Sequence, residues 1–427
     1  MQVRLNIEGI RCFSTLQQAT IRPLTILVGE NSAGKTTFLA LCQIASAILE
    51  GYSPTISFNE PPFSLGAFEQ IGSYMGGRAG RVREFSLGVE QIQEDHDNAS
   101  VHAVFGSEAG QPIMKSWRYE WGSRGIRIQR SDDGGIRIEF RGKTKTFEIA
   151  VPKDRAHLVG RGSLSFLAVG YYSPRKDPQN LPDSDELQEM DQQLRQIRRA
   201  FGQFPYAFAP IRTNPRRTYD PTGAAPDPEG SHIPMLLARL ASQTEPREWK
   251  TLRTSLQQFG ANSGLFQQVD VIRKGKKESD PFQIGIKGSG PSVNLVDVGY
   301  GVSQVLPLVV DSLQRLRVND LFLLQQPEVH LHPRAQAELG SFFGRVANRT
   351  RRFVVETHSD YLVDRVRMEV RSSKRIRPED VSLLYFERGK EGARIHNIEL
   401  DAAGSIVNPP PGYRQFFLDE ELALLGD

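Results

Sequence analysis

Residues 28–37, VGENSAGKTT, follow directly on the apolar run LTIL and carry residue types suited to gripping phosphate. Gly29, Glu30, Asn31, Ser32, Ala33, Gly34, Lys35 and Thr36 satisfy G-x-x-x-x-G-K-[ST], and Thr37 continues the run. Glycines let successive backbone N–H groups curl around phosphate oxygens, and the helix N-terminus behind them adds partial positive charge. In that pattern Lys35 reaches the outer phosphates and Thr36 ligates Mg²⁺. The expected ligand is therefore ATP with Mg²⁺.

Such a site also needs a buried strand ending in acids, one for the metal and one to activate water. LFLLQQPEVHLHP (321–333) supplies the strand but places Gln325 and Gln326 where the carboxylates belong, with Gln325 at the metal position. A glutamine amide hydrogen-bonds but cannot act as a base. Three readings stay open: Glu328 compensates, hydrolysis is slow, or the glutamines make a chain that binds ATP and holds it. His358, in FVVETHSDYLV, follows another apolar strand and is expected beside the terminal phosphate. DVGYGVSQVLPLVV (297–310) places Gly299 and Gly301 at a loop-to-helix transition, with Ser303 and Gln304 on the first turn, where backbone amides can meet a phosphate in trans. His330 and His332 invite a zinc reading, but no cysteine or carboxylate cluster completes a site.

Positioning these groups requires an α/β core. Strands are expected in VRLNIEG, QATI and LTILVG, and a helix from Lys35 to about Leu49 whose apolar positions recur at helical spacing. From Phe85 to Gly170 short alternating runs separated by turn pairs such as Asp133-Gly134 predict an antiparallel sheet. A helix is predicted over 182–203, a long loop through FAPIRTNPRRTYDPTGAAPDPEGSH, and helices at 233–243 and 246–258. The last third returns to α/β: helix 301–316, strand 320–325, helix 334–348, strand 352–356 and helix 359–370. The nucleotide core is thus split by a long insertion. The expected division is an N-terminal half with antiparallel β subdomain (1–170), a helical and loop-rich insertion (171–290), a C-terminal half (291–370) and a small C-terminal domain (371–427).

Over 427 residues, 39% hydrophobic and 24% charged composition fits a globular protein, and 53 basic against 50 acidic residues is too even to indicate nucleic acid. Local clusters carry that case instead: Arg195, Arg198 and Arg199; Arg216 and Arg217; Arg273, Lys274, Lys276 and Lys277. Two cysteines, Cys12 and Cys42, read as packing residues and exclude a disulfide framework. No secretory signal, membrane span, internal repeat or heptad array is visible, so the expected location is cytoplasmic, with no membrane partner.

The phosphate loop, the QPE strand, the THS strand and the glycine-rich helix start, in this order, resemble the ATP-binding cassette superfamily in its SMC/RecF-like branch, which includes the overcoming-lysogenization-defect ATPases. DVGYGVSQVLPL, QPEVHLHPRAQAELGSFF, VVETHSDYLVDRVR and IHNIELDAAGSIVNPPPGYRQFF look most like the prokaryotic AAA-type ATPases that end in a small uncharacterised C-terminal domain. The resemblance covers residues 1–50 and 295–415 and implies a head that forms homodimers or higher homo-oligomers on ATP, Gly299 and Gly301 facing the other subunit's nucleotide. Such a family carries Glu at the position of Gln325 and a serine at that of Gly299. The 69 residues after His358 are too few for the metal-dependent nuclease domain of the lysogenization-type relatives. Any nuclease is then a separate effector, and the resemblance implies a sensor or scaffold controlling one, in the manner of anti-phage systems. The alternatives are a RecF-like DNA-binding repair ATPase and an inactive ATPase that keeps nucleotide as structural glue.

Overall fold

The computed structural model describes residues 2–77, 80–94, 97–159, 183–223, 225–242, 247–314, 320–372 and 375–413. β1 (Gln2–Glu8), β2 (Gln17–Ile21) and β3 (Leu24–Gly29) lead into α1 (Lys35–Ile48), then the single turn α2 (Phe68–Ile71) and the ribbon β4 (Tyr74–Gly76) and β5 (Gly80–Arg81). β6 (Glu84–Ile92), β7 (Ala99–Glu108), β8 (Gln111–Trp121), β9 (Arg124–Arg130), β10 (Ile136–Arg141) and β11 (Thr146–Val151) follow as a meander. The middle holds α3 (Ser184–Phe201), β12 (Phe204–Phe208), α4 (Ile233–Ala241), α5 (Arg247–Ser263), β13 (Gln268–Arg273), β14 (Phe282–Lys287) and β15 (Ser292–Asn294). α6 (Tyr300–Gln314), β16 (Asp320–Gln325), α7 (Pro333–Val346), β17 (Arg351–Glu356), α8 (Asp360–Ser372), β18 (Val381–Gly389), β19 (Gly392–Leu400) and β20 (Ile406–Val407) complete the described chain.

The central sheet runs β12-β16-β17-β3-β18-β19-β20, with the first five strands parallel. β3, from the N-terminus, lies between β17 and β18 from the C-terminal third. The split core is thereby rejoined, and the class is α/β, with one parallel sheet built from both ends of the chain. Parallel strands are buried on both faces, which is why they read as continuous apolar runs. On β16, Leu321 and Leu323 pack into one core with Leu27, α1 and the antiparallel sheet, while Phe322 and Leu324 pack into the other with Leu24, Ile26, Val355 and the α7 and α8 side chains. Each such fully buried side chain contributes roughly 1.5–3 kcal/mol by removal from water. Phe322 stacks on Phe353 with ring centroids 4.9 Å apart, stitching β16 to β17.

The second sheet, β11-β10-β9-β8-β7-β6-β1-β2, is antiparallel throughout and shields α1 from above. α1 is therefore sandwiched, and Lys35, Thr37 to Cys42, Ile44 to Ser46 and Ile48 are all buried. β12, β13 and β14 lie within the segment 171–290 expected to be helical and loop-rich, and β15, which completes the three-stranded sheet β13-β14-β15, lies just beyond it. FPYAF has only five residues and prolines close behind it, and it is a strand because it completes the parallel sheet beside β16. The segment expected as a small C-terminal unit contributes β18, paired in parallel with β3. The expected boundary at residues 170 and 171, and residues 414–427, lie outside the described residues. The long loop after β12 is pinned: Ala209 N donates to Pro228 O at 2.8 Å, Tyr206 Oη to Asp311 at 2.8 Å, and His232 Nε2 meets Asp311 at 3.1 Å.

Candidate functional site

The phosphate loop leaves β3 at Gly29, whose φ is +126°, and enters α1 through Gly34, whose φ is +97°. A Cβ on Gly29 would lie 2.2 Å from Phe386 O, and one on Gly34 2.5 Å from Cys12 Sγ. Both glycines are dictated by backbone conformation and by close neighbours together. Gly29→Ala is accordingly expected to destabilise the chain by about 3 kcal/mol, since strain and overpacking add. Urea denaturation checks this, and a shift under about 1 kcal/mol would show that the loop relaxes freely. No side chain caps the N-terminus of α1. Its first N–H groups remain available to an anion.

Lys35 is 3% exposed, and its Nζ donates to Gly29 O at 2.8 Å and Glu30 O at 2.6 Å. Burial lowers its pKa, while the charges of Glu356 and Glu30 oppose that fall. Asn31, Ser32, Gly34, Lys35, Thr36 and Thr37 line one open cavity with Gln325, Gln326, Glu356 and His358. Ala33 is buried beneath the loop and Glu30 points outward. Cys12 packs half-buried under Gly34, and Cys42 is fully buried in α1.

A carboxylate stands on the strand beside β16. Parallel pairing sets Gln325 opposite Glu356, the last residue of β17. Glu356 is 3% exposed and accepts from Thr36 Oγ1 at 2.9 and 3.1 Å through its two oxygens. Burial raises its pKa, and the Thr36 hydrogen bond and Lys35 work against that rise. Gln325 Nε2 donates to the same Thr36 oxygen at 3.1 Å. The Thr36 hydroxyl is thus engaged as donor by Glu356 and as acceptor by Gln325. Gln326 holds a left-handed φ of +43° while its N–H donates to Glu356 O at 2.9 Å, a strained conformation of the kind that clusters at functional sites. Sequence reading passes over Glu356 although it immediately precedes Thr357 and His358; a register estimate between the two strands is the signal that could have found it.

Glu328 does not line the cavity. It is 7% exposed, and its Oε1 accepts from the backbone N–H of His358 at 2.7 Å. Burial pushes its pKa up, with that hydrogen bond and the Arg212 charge opposing. The exposed imidazole of His358 has a pKa lowered by partial burial and by Lys35, which favours the neutral ring. Gly299 and Gly301 also lie outside the cavity lining. Gly301 is needed for packing, since a Cβ there would lie 2.7 Å from His330 O, whereas Gly299 faces open space. The two histidines considered for zinc have structural places: the His330 ring meets Tyr300 edge-on at 4.8 Å, and His332 is the N-cap of α7.

Of the basic clusters, Arg195 pairs with Asp191 at 2.5 Å, Arg198 with Glu50 at 3.6 Å, and Arg217 binds Asp297 through both terminal nitrogens at 2.5 and 2.9 Å. Arg273 donates to Glu278 O at 2.9 Å. Lys274, Lys276 and Lys277 are exposed in the connection between β13 and β14. Among the described residues no helix is long and apolar enough to cross a membrane.

A family model described as "AAA domain, putative AbiEii toxin, Type IV TA system" matches residues 24–364, a span that includes the phosphate loop, both glutamines, Glu356 and His358. Solved structures are similar at low identity. The SMC head bound to the C-winged helix domain of ScpA shares 11% identity over 93% of this chain and 98% of that one, with a TM-score of 0.45. The SMC head domain from Thermotoga maritima shares 10% over 94% and 100%, with a TM-score of 0.36. An SMC head with an extended coiled coil, bound to the C-terminal domain of ScpA and derived from Pyrococcus furiosus, shares 10% over 93% and 96%, with a TM-score of 0.44. No curated protein matches this sequence.

Proposed function

We propose, from the premise that this chain belongs to the AAA-domain family matched over residues 24–364, that it is an ATP-binding head that assembles with a second copy on ATP and controls a separate effector protein. The observation that carries the nucleotide reading is the convergence of Lys35, Thr36, Gln325 and Glu356 on one cavity at the mouth of a positive-φ glycine loop. Phosphates fit the α1 N-terminus and Lys35, and Mg²⁺ fits a donor set made of the Thr36 hydroxyl and the Glu356 carboxylate. When bound, Mg²⁺ neutralises charge on the phosphates and polarises them.

The residues divide the work. Lys35 supplies fixed positive charge, Glu356 takes the Thr36 proton in a hydrogen bond and so turns the oxygen lone pairs outward, and His358 offers a neutral ring at the rim. Gln325 works against this set, because its amide N–H occupies a lone pair of the same oxygen. A carboxylate cannot donate that bond. Gln325→Glu is therefore expected to raise Mg²⁺-dependent ATP turnover by roughly 100-fold over the unaltered chain, the factor that corresponds to about 3 kcal/mol for restoring one charge at a desolvated site. Steady-state hydrolysis, with Lys35→Ala as blank, decides it. Equal silence of both chains while ATP binds would assign nucleotide the role of a ligand awaiting its partner, and absence of ATP binding would remove the reading. Assembly is supported by the exposed Gly299 and Tyr300 at the start of α6, and sedimentation with and without Mg-ATP tests it.

A further inference from the structure

One basic pair singled out in the sequence divides in the structure. Arg217 is tied to Asp297, whereas its neighbour Arg216 is exposed and, among the described residues, its guanidinium has neither an ion pair nor a hydrogen bond. Arg216 stands at a cavity of about 210 Å³ between the long loop after β12, α4 and α6, and among the described residues it is the sole charged one lining it. The rim is exposed and polar, with Asn214, Thr222 and Ser231 beside Arg216. The inner wall is apolar and buried: Ile233 and Leu237 of α4, Ile284 of β14, Leu295 and Leu306. Tyr219, stacked on Phe282 with ring centroids 5.6 Å apart, adds an aromatic ring to that wall. α6 gives it one unusual polar group. Ser303, Leu306 and Pro307 share the helix face that lines the cavity. In a helix the carbonyl of one residue accepts from the N–H four residues on, on the same face. Pro307 has no N–H, so the Ser303 carbonyl is released on the cavity face. The loop fits closely over this turn, since a Cβ on Gly230 would lie 2.5 Å from Pro307 Cβ.

We propose that this cavity is a binding site for a small aromatic anion carrying one hydrogen-bond donor: a single ring with its carboxylate at Arg216 and a hydroxyl turned to the Ser303 carbonyl. An apolar cavity of roughly 150 Å³ holds benzene, so about 210 Å³ holds one ring and its substituents. Water against an apolar wall finds few partners, and a ring gains by taking its place. The sign of the ligand follows from the lining, which holds one free cation and, among the described residues, no acid to repel an anion. None of these residues lines the cavity of Lys35 and Glu356, so the site stands independently of the nucleotide reading.

Saturation-transfer NMR titrations of the full chain with para-hydroxybenzoate, para-hydroxybenzyl alcohol and benzoate test it. For a ligand of this size, para-hydroxybenzoate is expected to bind with a Kd of about 1 mM. The uncharged alcohol is expected to bind roughly fivefold more weakly, the worth of one ion pair at an exposed rim, and benzoate, which lacks the donor, by a similar factor. Arg216→Gln, at an exposed position that the fold does not depend on, is expected to erase the advantage of the anion over the alcohol and leave the alcohol unchanged. Pro307→Ala returns an N–H to the Ser303 carbonyl and is expected to erase the advantage of para-hydroxybenzoate over benzoate. Met235→Trp fills the cavity from a half-buried position and is expected to abolish binding of all three. Absence of para-hydroxybenzoate binding at about ten times the expected Kd overturns the proposal. Equal affinity for the anion and the alcohol in the unaltered chain also overturns it, as does binding that survives Met235→Trp, which would place the ligand elsewhere. A donor advantage that persists in Pro307→Ala overturns the part given to the Ser303 carbonyl.

Discussion

Glu356→Gln is expected to leave a folded chain that has lost the Mg²⁺-dependent part of its ATP affinity, by roughly 100-fold. The substitution keeps the volume of the side chain and an oxygen able to accept from Thr36 Oγ1, so the cavity wall is preserved. What disappears is the negative charge, and Glu356 is the sole carboxylate lining the cavity among the described residues. Removing one charged member of a desolvated pair weakens binding by about 3 kcal/mol, which is roughly that factor of 100. Titration of ATP with and without Mg²⁺ measures it directly, and an unchanged Mg²⁺ effect would move the metal away from Thr36 and Glu356. Stability gives a second check with a definite sign. Because burial raises the folded-state pKa of Glu356 above its unfolded value, its ionised form opposes folding. That penalty is fully present above the folded pKa and is relieved as pH falls through it towards the unfolded value. The Gln variant should lack this contribution and melt no lower than the parent at neutral pH.

The position of that carboxylate marks the limit of what the sequence could say. A strand–loop–helix phosphate site is local, so Gly29 to Thr36 and α1 were legible from spacing and apolar periodicity, as were the long alternating strands β6 to β11. β16 and β17 were legible as strands, but their relative height was not. The register that sets Gln325 beside Glu356 depends on parallel pairing between segments separated by a helix. Reading each strand alone makes the acidic partner look missing, with Glu328 as the substitute. Glu328 instead serves the His358 backbone, outside the cavity lining. Arg212 was hidden for the opposite reason: in a stretch rich in Pro, Arg and Asp an arginine reads as solvated, yet it is buried, its main chain held by Gln304 on a helix 92 residues away. β12 and β13 to β15 escape local reading because short strands are decided by the neighbours that accept them, which local pattern does not record.

Lys35→Ala is expected to reduce ATP affinity by roughly 100-fold or more, with or without Mg²⁺, and so to differ in kind from Glu356→Gln. The ammonium is placed by Gly29 O and Glu30 O at the mouth of the loop, where it faces incoming phosphate oxygens in a partly desolvated cavity. Its loss removes positive charge, and among the described residues no other lysine lines that cavity. The fold should survive, because burial of the ammonium is itself unfavourable and the two carbonyls it serves sit where solvent can reach the loop. Thermal unfolding separates these effects. ATP at about 100 times its Kd stabilises a binding chain by about 2.7 kcal/mol, and that gain should vanish in Lys35→Ala while the melting temperature without ATP stays close to that of the parent. A retained ATP-dependent shift would place the phosphates elsewhere and detach Thr36, Gln325 and Glu356 from nucleotide altogether. If the shift vanishes, combining Lys35→Ala with Glu356→Gln should cost little more than Lys35→Ala alone, since a metal site that depends on bound phosphate has no affinity left to lose.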